Sequence, residues 1–379
     1  MPLFVYVLSL AVFAQGTSEF MLSGLVPDIA GDLSGSVAAA ASLTSAYAIG
    51  MVAGAPVMAA LSARWPRRRA LAAFLSAFVV AHVVGALTGD FAVLFGTRVV
   101  AAVANAGFLA VAMSSASTVA GPGRQARATA TLLAGVTLAC VAGVPGGALL
   151  GQLFGWRAAF WAVAGLSLPA LVLVFRSAPA DPEGRHVLVR KEFRVLRSWP
   201  VWHALVLAAL VNGATFATFA YLAVIATAIP VGAVPALLAA FGAGAFVGVT
   251  VTGRTGGFRA ALFALPAGWL LLAVAGSNAV ALFVMTVVAG ALSFGAGSAL
   301  VNRVLTAAPD APSLGGSFAT VALNVGAVVG PLLTGAVTGA TGDYRHAVWL
   351  SAALSLVALV LLPLRGREPD DLRVVQSGR

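Results

Sequence analysis

The sequence is poor in charged residues. Only 9% of its 379 residues are Asp, Glu, Lys or Arg, whereas a soluble globular domain carries about 25%. Hydrophobic residues make up 60% of the chain, and the mean hydropathy is +1.00. This composition excludes a soluble enzyme and predicts a membrane-embedded protein, in which the 42 Gly and 18 Pro are tolerated within helices.

Other groups are scarce as well, and each absence excludes a class of protein. The single cysteine, Cys140, excludes an internal disulfide. The only lysine, Lys191, lies in RKEF, so the chain has no G-x-x-x-x-G-K phosphate loop for ATP hydrolysis. The absence of H-E-x-x-H and G-x-S-x-G motifs argues against a membrane protease or esterase. We therefore expect no enzyme, no metal and no cofactor.

Long apolar runs are what the chain has instead. A membrane span needs about 20 apolar residues. Twelve candidate spans lie near residues 4–29, 41–63, 70–88, 91–119, 127–151, 157–176, 202–228, 234–252, 260–276, 279–303, 315–338 and 345–364. The expected fold class is an all-α membrane protein with twelve transmembrane helices.

The basic residues are distributed unevenly between the connections. Of the 22 Lys and Arg, 19 lie on one side of the membrane if the spans alternate, and only Arg157 and Arg345 lie on the other. The positive-inside rule then predicts that both termini are cytoplasmic. The same rule explains the net charge of +10, so binding to nucleic acid is not needed to account for it. Because no basic residue precedes Arg64, the first span lacks the charged start of a cleaved signal.

Two stretches about half a chain apart resemble each other. AGVTLACVAGVPGGALLGQLFGWRAAFW and ALNVGAVVGPLLTGAVTGATGDYRHAVW share a Gly/Pro break and an aromatic-Arg pair, and AQGTSEFMLSGL matches VNGATFATFAYL. We predict two pseudo-symmetric six-helix bundles, at 1–176 and 201–365, joined by a cytoplasmic linker at 177–200 and followed by a tail at 366–379. Secondary transporters build a central site from such repeats, although chance similarity between apolar helices is the alternative.

Small residues recur at every fourth position of the fifth span, from Gly135 to Gly151, and shorter stripes occur in spans 2, 8 and 11. Such stripes let two helix backbones approach closely. Two interpretations fit them equally: tight packing alone, or a sliding seam between the halves.

Two charged residues are predicted to lie in hydrocarbon, Glu19 in the first span and Arg98 in the fourth. Intramembrane charges are costly and indicate function. Burial and a nearby arginine act on a carboxyl group in opposite directions, so a changing distance between them would let Glu19 take up and release a proton. The alternative is a permanent ion pair. His82 is interpreted as a packed, hydrogen-bonded histidine rather than a proton relay.

Deep amides and phenylalanines are the candidates for a binding cavity. Neutral amides give a small ligand its hydrogen bonds and aromatic rings give it apolar walls, although amides also bond helices to one another. The candidate substrate-binding residues are Gln15, Asn105, Phe108, Asn212, Phe216, Phe219, Phe294 and Asn324.

Three motifs resemble the twelve-helix drug/proton antiporters of the major facilitator superfamily. The antiporter signature of helix 5 is similar to GVPGGALLGQLFGWRAAFW, from residue 143. The acidic motif of helix 1 is similar to GTSEF at 16–20, and the helix 4 motif is similar to RVVAAVANAGFLAVA, from Arg98. Further likeness, nearly end to end, is to the actinobacterial chloramphenicol exporters.

This resemblance implies efflux of chloramphenicol, or a similar small neutral amphipathic drug, in exchange for protons, by a monomer in the lipid bilayer of the bacterial plasma membrane. Glu19 would carry the proton and Arg98 would tune it. Gly143, Pro145, Gly146 and Gly147 would serve the conformational change. The rival functions are export of another small neutral metabolite, such as a sugar or nucleoside, and ligand binding without transport.

Overall fold

The computed structural model describes residues 2–362 except 63–64, 122–123, 178–192, 256, 276, 310 and 312–314. All regular structure in these residues is helical. Eleven helices are long and apolar enough to cross a membrane, and the twelfth predicted span is a shorter helix of 16 residues. The predicted linker lies largely outside the described residues, as does the tail at 366–379.

We number the spanning helices α1 to α12. They are α1 (Leu3–Phe20), α2 (Val37–Ser62), α3 (Arg67–Leu87), α4 (Phe91–Ala120), α5 (Gln125–Leu138, Ala139–Gly143 and Val144–Phe154 in succession), α6 (Trp156–Ser177), α7 (Trp199–Phe219), α8 (Val234–Thr255), α9 (Phe258–Ala275), α10 (Ala279–Ala307), α11 (Gly315–Thr341) and α12 (His346–Leu361).

The first and seventh spans end earlier than predicted. α1 ends at Phe20 and is followed by a 3-10 turn, Met21–Gly24, and a short helix, Val26–Asp32. α7 is followed by the short helix Leu222–Ile225. Pro27, at the start of the first short helix, has no N–H to give to the carbonyl four residues back, which favours a break there.

The ends of corresponding helices match between the two halves of the chain. The side chain of Asp90 accepts a hydrogen bond from the Val93 N–H at the start of α4 (2.9 Å), and that of Asn278 accepts one from the Ala281 N–H at the start of α10 (3.0 Å). α5 and α11 each end at a glycine with positive φ, 82° at Gly155 and 72° at Gly342. The fold is that of two six-helix bundles related by a repeat.

The four small-residue stripes pack helices together inside each bundle. In the first bundle α5 lies against α1 and α2 lies against α4, and in the second α11 lies against α7 and α8 against α10. The interpretation of these stripes as a sliding seam between the halves is therefore wrong, because each stripe faces a helix of its own half. Tight packing is confirmed.

The two bundles contact each other mainly through α2 with α11 and α5 with α8. Ser45 of α2 donates to the Val328 carbonyl of α11 at 3.1 Å. We call the side at which α1 begins the basic side. At the opposite side the two short helices touch each other, and Gln152 donates to the Val231 carbonyl at 2.6 Å. The bundles are thus joined on the side away from the basic residues.

Candidate functional site

Arg98 is the most deeply buried charge of the site, with 1% of its surface exposed. Its guanidinium, on α4, donates to the main-chain oxygen of Ser18 at 2.6 Å and to the Ser18 hydroxyl at 2.7 Å. Ser18 lies in the last turn of α1, where carbonyls lack partners within the helix and a cation complements the helix dipole. Arg98 therefore caps the end of α1 from a neighbouring helix.

His82, on α3, is hydrogen-bonded to the same serine. Its Nε2 lies 2.7 Å from the Ser18 hydroxyl oxygen, and its Nδ1 lies 2.7 Å from the Phe78 carbonyl oxygen. Because a carbonyl only accepts, Nδ1 carries the hydrogen, and Nε2 of the neutral ring accepts from the serine. The interpretation of His82 as a packed, hydrogen-bonded histidine is confirmed.

Aromatic rings surround both groups. The guanidinium carbon of Arg98 lies 4.5 Å from the Tyr47 ring centre and 5.8 Å from that of Phe160, within the range of cation–π attraction. His82 packs on Phe78 at 4.2 Å and on Phe160 at 5.8 Å. Within the described part of the chain, Arg98 Nε has no hydrogen-bond partner.

Glu19 follows Ser18 directly and is half-buried. Its charge interacts with that of Arg98, but among the described residues the two form no ion pair within 4 Å. The guanidinium instead holds the serine next to the carboxylate. A permanently closed Glu19–Arg98 pair, the alternative weighed from the sequence, is not what the structure has.

The four candidate amides differ in whether their hydrogen bonds are already used. Asn212 donates to the Leu323 carbonyl of α11 at 2.6 Å, and Asn324 to the Thr320 carbonyl of its own helix at 2.9 Å. Asn105 reaches the sulfur of Met51 at 3.6 Å. Gln15 is buried with both amide atoms lacking partners in the described chain, so of the four it has the most capacity to bind a polar ligand.

Five phenylalanines form a continuous cluster where the bundles meet. Successive ring centres lie 6.0 Å apart between Phe20 and Phe216, 5.9 Å between Phe216 and Phe219, 4.8 Å between Phe219 and Phe241, and 6.0 Å between Phe241 and Phe294. Four of them line a narrow cavity of about 10 Å³. The structure thus brings together three of the predicted aromatic residues.

The fourth predicted aromatic residue, Phe108, lies elsewhere. It is fully buried in α4 and, in the described part of the chain, has no ring contact with the cluster. Phe20 and Phe241 take that place instead. Sequence reasoning missed both, although Phe20 directly follows Glu19 in GTSEF.

The predicted antiporter motif coincides with a change in helix type. α5 is π-helical over Ala139–Gly143 and returns to α-helix just before Pro145, which has no N–H for the regular hydrogen-bonding pattern. A Cβ atom at Gly143 would clash with Thr17, and one at Gly147 would lie 3.1 Å from Met21 Cβ, whereas Gly146 faces open space. Two of the four motif residues therefore set the close contact of α5 with α1 and with the 3-10 turn that follows it.

The π-helical segment also borders the site. Cys140, within it, lines the phenylalanine cavity and interacts electrostatically with Glu19. The cavity wall and the carboxylate are therefore near neighbours, joined through α5 and α1.

The second bundle has no charge at the corresponding positions. Asp90 and Asn278 begin α4 and α10 in the same way, and eight residues further on (98 − 90 = 286 − 278 = 8) Arg98 is matched by Thr286. Glu19 is matched by Phe216. The titratable groups thus belong to the first bundle and most of the aromatic wall to the second.

An ion pair lies away from this site, on the side opposite the basic residues. Arg157 donates to the Asp32 carboxylate at 2.5 Å, and Trp156 Nε1 donates to the same oxygen at 3.1 Å. Hydrogen bonds from these two groups lower the pKa of Asp32 below its usual value. Because Arg157 also donates to the Thr88 carbonyl at 3.1 Å, the pair ties three connections together.

Comparison with known proteins agrees with this architecture. Residues 8–308 match the Major Facilitator Superfamily. The chain is 49% identical over 379 residues to the chloramphenicol resistance protein of Streptomyces lividans, covering 96% of this chain and 97% of that protein. It is 32% identical to the inner membrane transport protein YdhP of Escherichia coli (strain K12), with 98% of each covered.

Two solved structures share the fold. The nucleoside transporter NupG superposes with a TM-score of 0.75 at 13% identity, covering 94% of this chain and 98% of that one. A bacterial homologue of the human lysosomal transporter Spinster gives 0.71 at 17% identity, covering 94% and 95%. Family match, sequence identity and fold agree, and the chain belongs to the major facilitator superfamily of membrane transporters.

Proposed function

We propose that this transporter exports chloramphenicol, or a similar small neutral amphipathic drug, across the bacterial plasma membrane in exchange for protons. The name of the relative that is 49% identical, a chloramphenicol resistance protein, supports the substrate. The distribution of basic residues supports an orientation with both termini in the cytoplasm.

The observation that carries the proton coupling is a half-buried carboxylate, Glu19, beside the buried cation Arg98. A carboxylate in this position gains or loses a proton according to how close the guanidinium stands. Moving one charge through 100 mV involves about 2.3 kcal/mol, so one proton per cycle suffices to concentrate a neutral drug about fiftyfold.

The phenylalanine cavity and Gln15 are the proposed drug site. Chloramphenicol is a neutral, hydroxylated nitroaromatic amide, so its ring suits the phenylalanines and its polar groups suit the unpaired amide of Gln15. Ligand pockets measure roughly 300–1,000 Å³, whereas the cavity here holds only about 10 Å³. The cavity must therefore widen to admit the drug, as it does if the bundles rock apart in alternating access.

Drug accumulation in a sensitive bacterial host tests this proposal. Expression of the wild type is expected to lower intracellular chloramphenicol in a protonophore-sensitive manner, and Glu19→Gln is expected to abolish that effect while leaving the amount of folded protein unchanged. The matched control is Asp90→Asn, because Asn is as good an N-cap as Asp and α4 keeps its start.

The outcomes separate the rival functions. Undiminished active export by Glu19→Gln would refute the coupling role of that residue. Expression that leaves drug accumulation unchanged, although purified protein binds the drug, would identify a binding protein. Absence of both binding and export would point to another neutral substrate.

A further inference from the structure

Export coupled through Glu19 and Arg98 gives no role to His82, yet His82 is bonded to the serine that holds Arg98. The three groups form one chain across three helices. Arg98 of α4 donates to the Ser18 hydroxyl of α1, and the oxygen of that hydroxyl lies 2.7 Å from Nε2 of His82 on α3. A change at one end of this chain must therefore affect the other.

The hydroxyl has one hydrogen to give. With His82 neutral, that hydrogen goes to Nε2 and the lone pairs of the oxygen face Arg98. A proton on Nε2 turns the acceptor into a donor aimed at the same oxygen. Two cations would then meet at one hydroxyl, each at the distance of a hydrogen bond. Because like charges repel most strongly where water is excluded, both cannot stay.

Few other charges act on this hydrogen-bonded chain of Arg98, Ser18 and His82. The charged or titratable groups that face it are Glu19 from α1, Tyr47 from α2 and Arg98 from α4, and α6 contributes the ring of Phe160. Glu19 is thus the nearest carboxylate for a guanidinium that leaves Ser18. Arg98 is also incompletely bonded where it stands, since its Nε has no partner in the described chain.

We propose that His82 is a second proton-responsive group of the transporter, which releases Arg98 from Ser18 towards Glu19 when it takes up a proton. His82 acts as a positioning residue: one N–H bond forms at Nε2, the serine hydroxyl turns away, and the guanidinium moves. This inference rests on the proposed proton-coupled export and adds a second protonation step to it.

The test measures chloramphenicol affinity of the purified full-length transporter in detergent across about pH 4 to 8, which extends below the usual range of histidine because burial and the neighbouring Arg98 both oppose a charge on His82. In Glu19→Gln, affinity is still expected to fall as the pH is lowered, by at most about tenfold per pH unit for one linked proton, because the charge on His82 repels Arg98 from Ser18 whether or not a carboxylate receives it. In Glu19→Gln with His82→Gln, which keeps an acceptor but cannot gain charge, affinity is expected to be independent of pH.

His203 provides a matched control. It lies on α7, where its ring bonds the Leu361 carbonyl at 3.0 Å, so Glu19→Gln with His203→Gln is expected to behave like Glu19→Gln alone. Ser18→Ala in the same background is expected to remove the pH dependence as well, because it breaks the link between His82 and Arg98. This variant serves as the test if the His82 variant elutes as misfolded protein.

Failure of this inference is distinguishable from failure of the proposed function. A wild-type affinity that does not change with pH would overturn proton coupling itself. A pH-dependent wild type whose dependence disappears in Glu19→Gln alone, or persists after His82 or Ser18 is changed, would overturn only the role of His82.

Discussion

A single methyl group at Gly50 is expected to disturb both the packing of α2 and the position of Tyr47 beside Arg98. Gly50 faces the main chain of α4, and a Cβ atom there would lie 2.5 Å from the Val99 carbonyl oxygen and 2.6 Å from Ala102 Cβ. The carbonyl belongs to the backbone and cannot rotate away. Gly50→Ala must therefore move α2 as a whole.

The size of the displacement follows from the contact distances. Ordinary contact begins at 3.4 Å, so the helices must separate by about 0.9 Å (3.4 − 2.5). Tyr47, one turn away on α2, would move with them, and its ring would retreat from 4.5 Å to roughly 5.4 Å from the guanidinium, which weakens the cation–π attraction. Overpacking costs about 1–3 kcal/mol, which exceeds the gain of roughly 1 kcal/mol from replacing a helical glycine by alanine.

Thermal melting in detergent, combined with drug export, measures this effect. Gly50→Ala is expected to melt below the wild type and to export chloramphenicol more slowly. Gly96→Ala in α4 is the control, because a Cβ atom there meets nothing within 4 Å, and it is expected to melt at or above the wild-type temperature. Equal melting temperatures for the two variants would refute the steric reasoning.

Two further predictions concern hydrogen bonds. Gln15→Leu is expected to weaken chloramphenicol binding without lowering the melting temperature, since the Gln15 amide has no hydrogen-bond partner in the described chain. Asn212→Leu is expected to lose the hydrogen bond to Leu323 and about 1 kcal/mol of stability. A larger loss of stability in Gln15→Leu than in Asn212→Leu would contradict this assignment. Because the pKa of Asp32 is lowered in the folded protein, its pairing with Arg157 stabilises the protein above about pH 4 and is lost as the pH falls further. Asp32→Asn should therefore melt at a lower temperature than the wild type at pH 7, with a loss of stability of no more than about 1 kcal/mol for so exposed a pair. In strong acid the two proteins should melt at the same temperature. A difference that is constant at all pH values would contradict the titration of Asp32.

The spans and their order could be predicted from the sequence because hydrocarbon imposes a local rule. Every backbone group of a spanning segment must be bonded within its own helix, so a long apolar run is enough to locate one. The structure confirms this for eleven spans and gives a shorter twelfth. The sequence does not reveal the break after α1 because the residues from Met21 to Ile29 are nearly as apolar as the helix before them.

The candidate site could be predicted only in part. The sequence indicates which polar residues lie deep. Glu19 of α1 and Arg98 of α4 do lie near each other, and Gln15 lies one turn before Glu19 on α1. It does not indicate that the Asn212 amide donates to a main-chain carbonyl or that Phe108 is absent from the lining of the cavity. Both depend on how a helix is rotated, and helices that are apolar on all sides carry little periodic signal of that rotation.

The sequence by itself determined the number of helices, the repeat and the family, since each depends on local composition or on motifs within a single helix. Only the tertiary structure decided that the glycine stripes face partners within each bundle, and that Arg98 caps α1 through Ser18. Arg98 is 80 residues from Ser18 and His82 is 64 residues from it. Contacts over such separations are fixed by the packing of whole helices, in which every contact constrains the others.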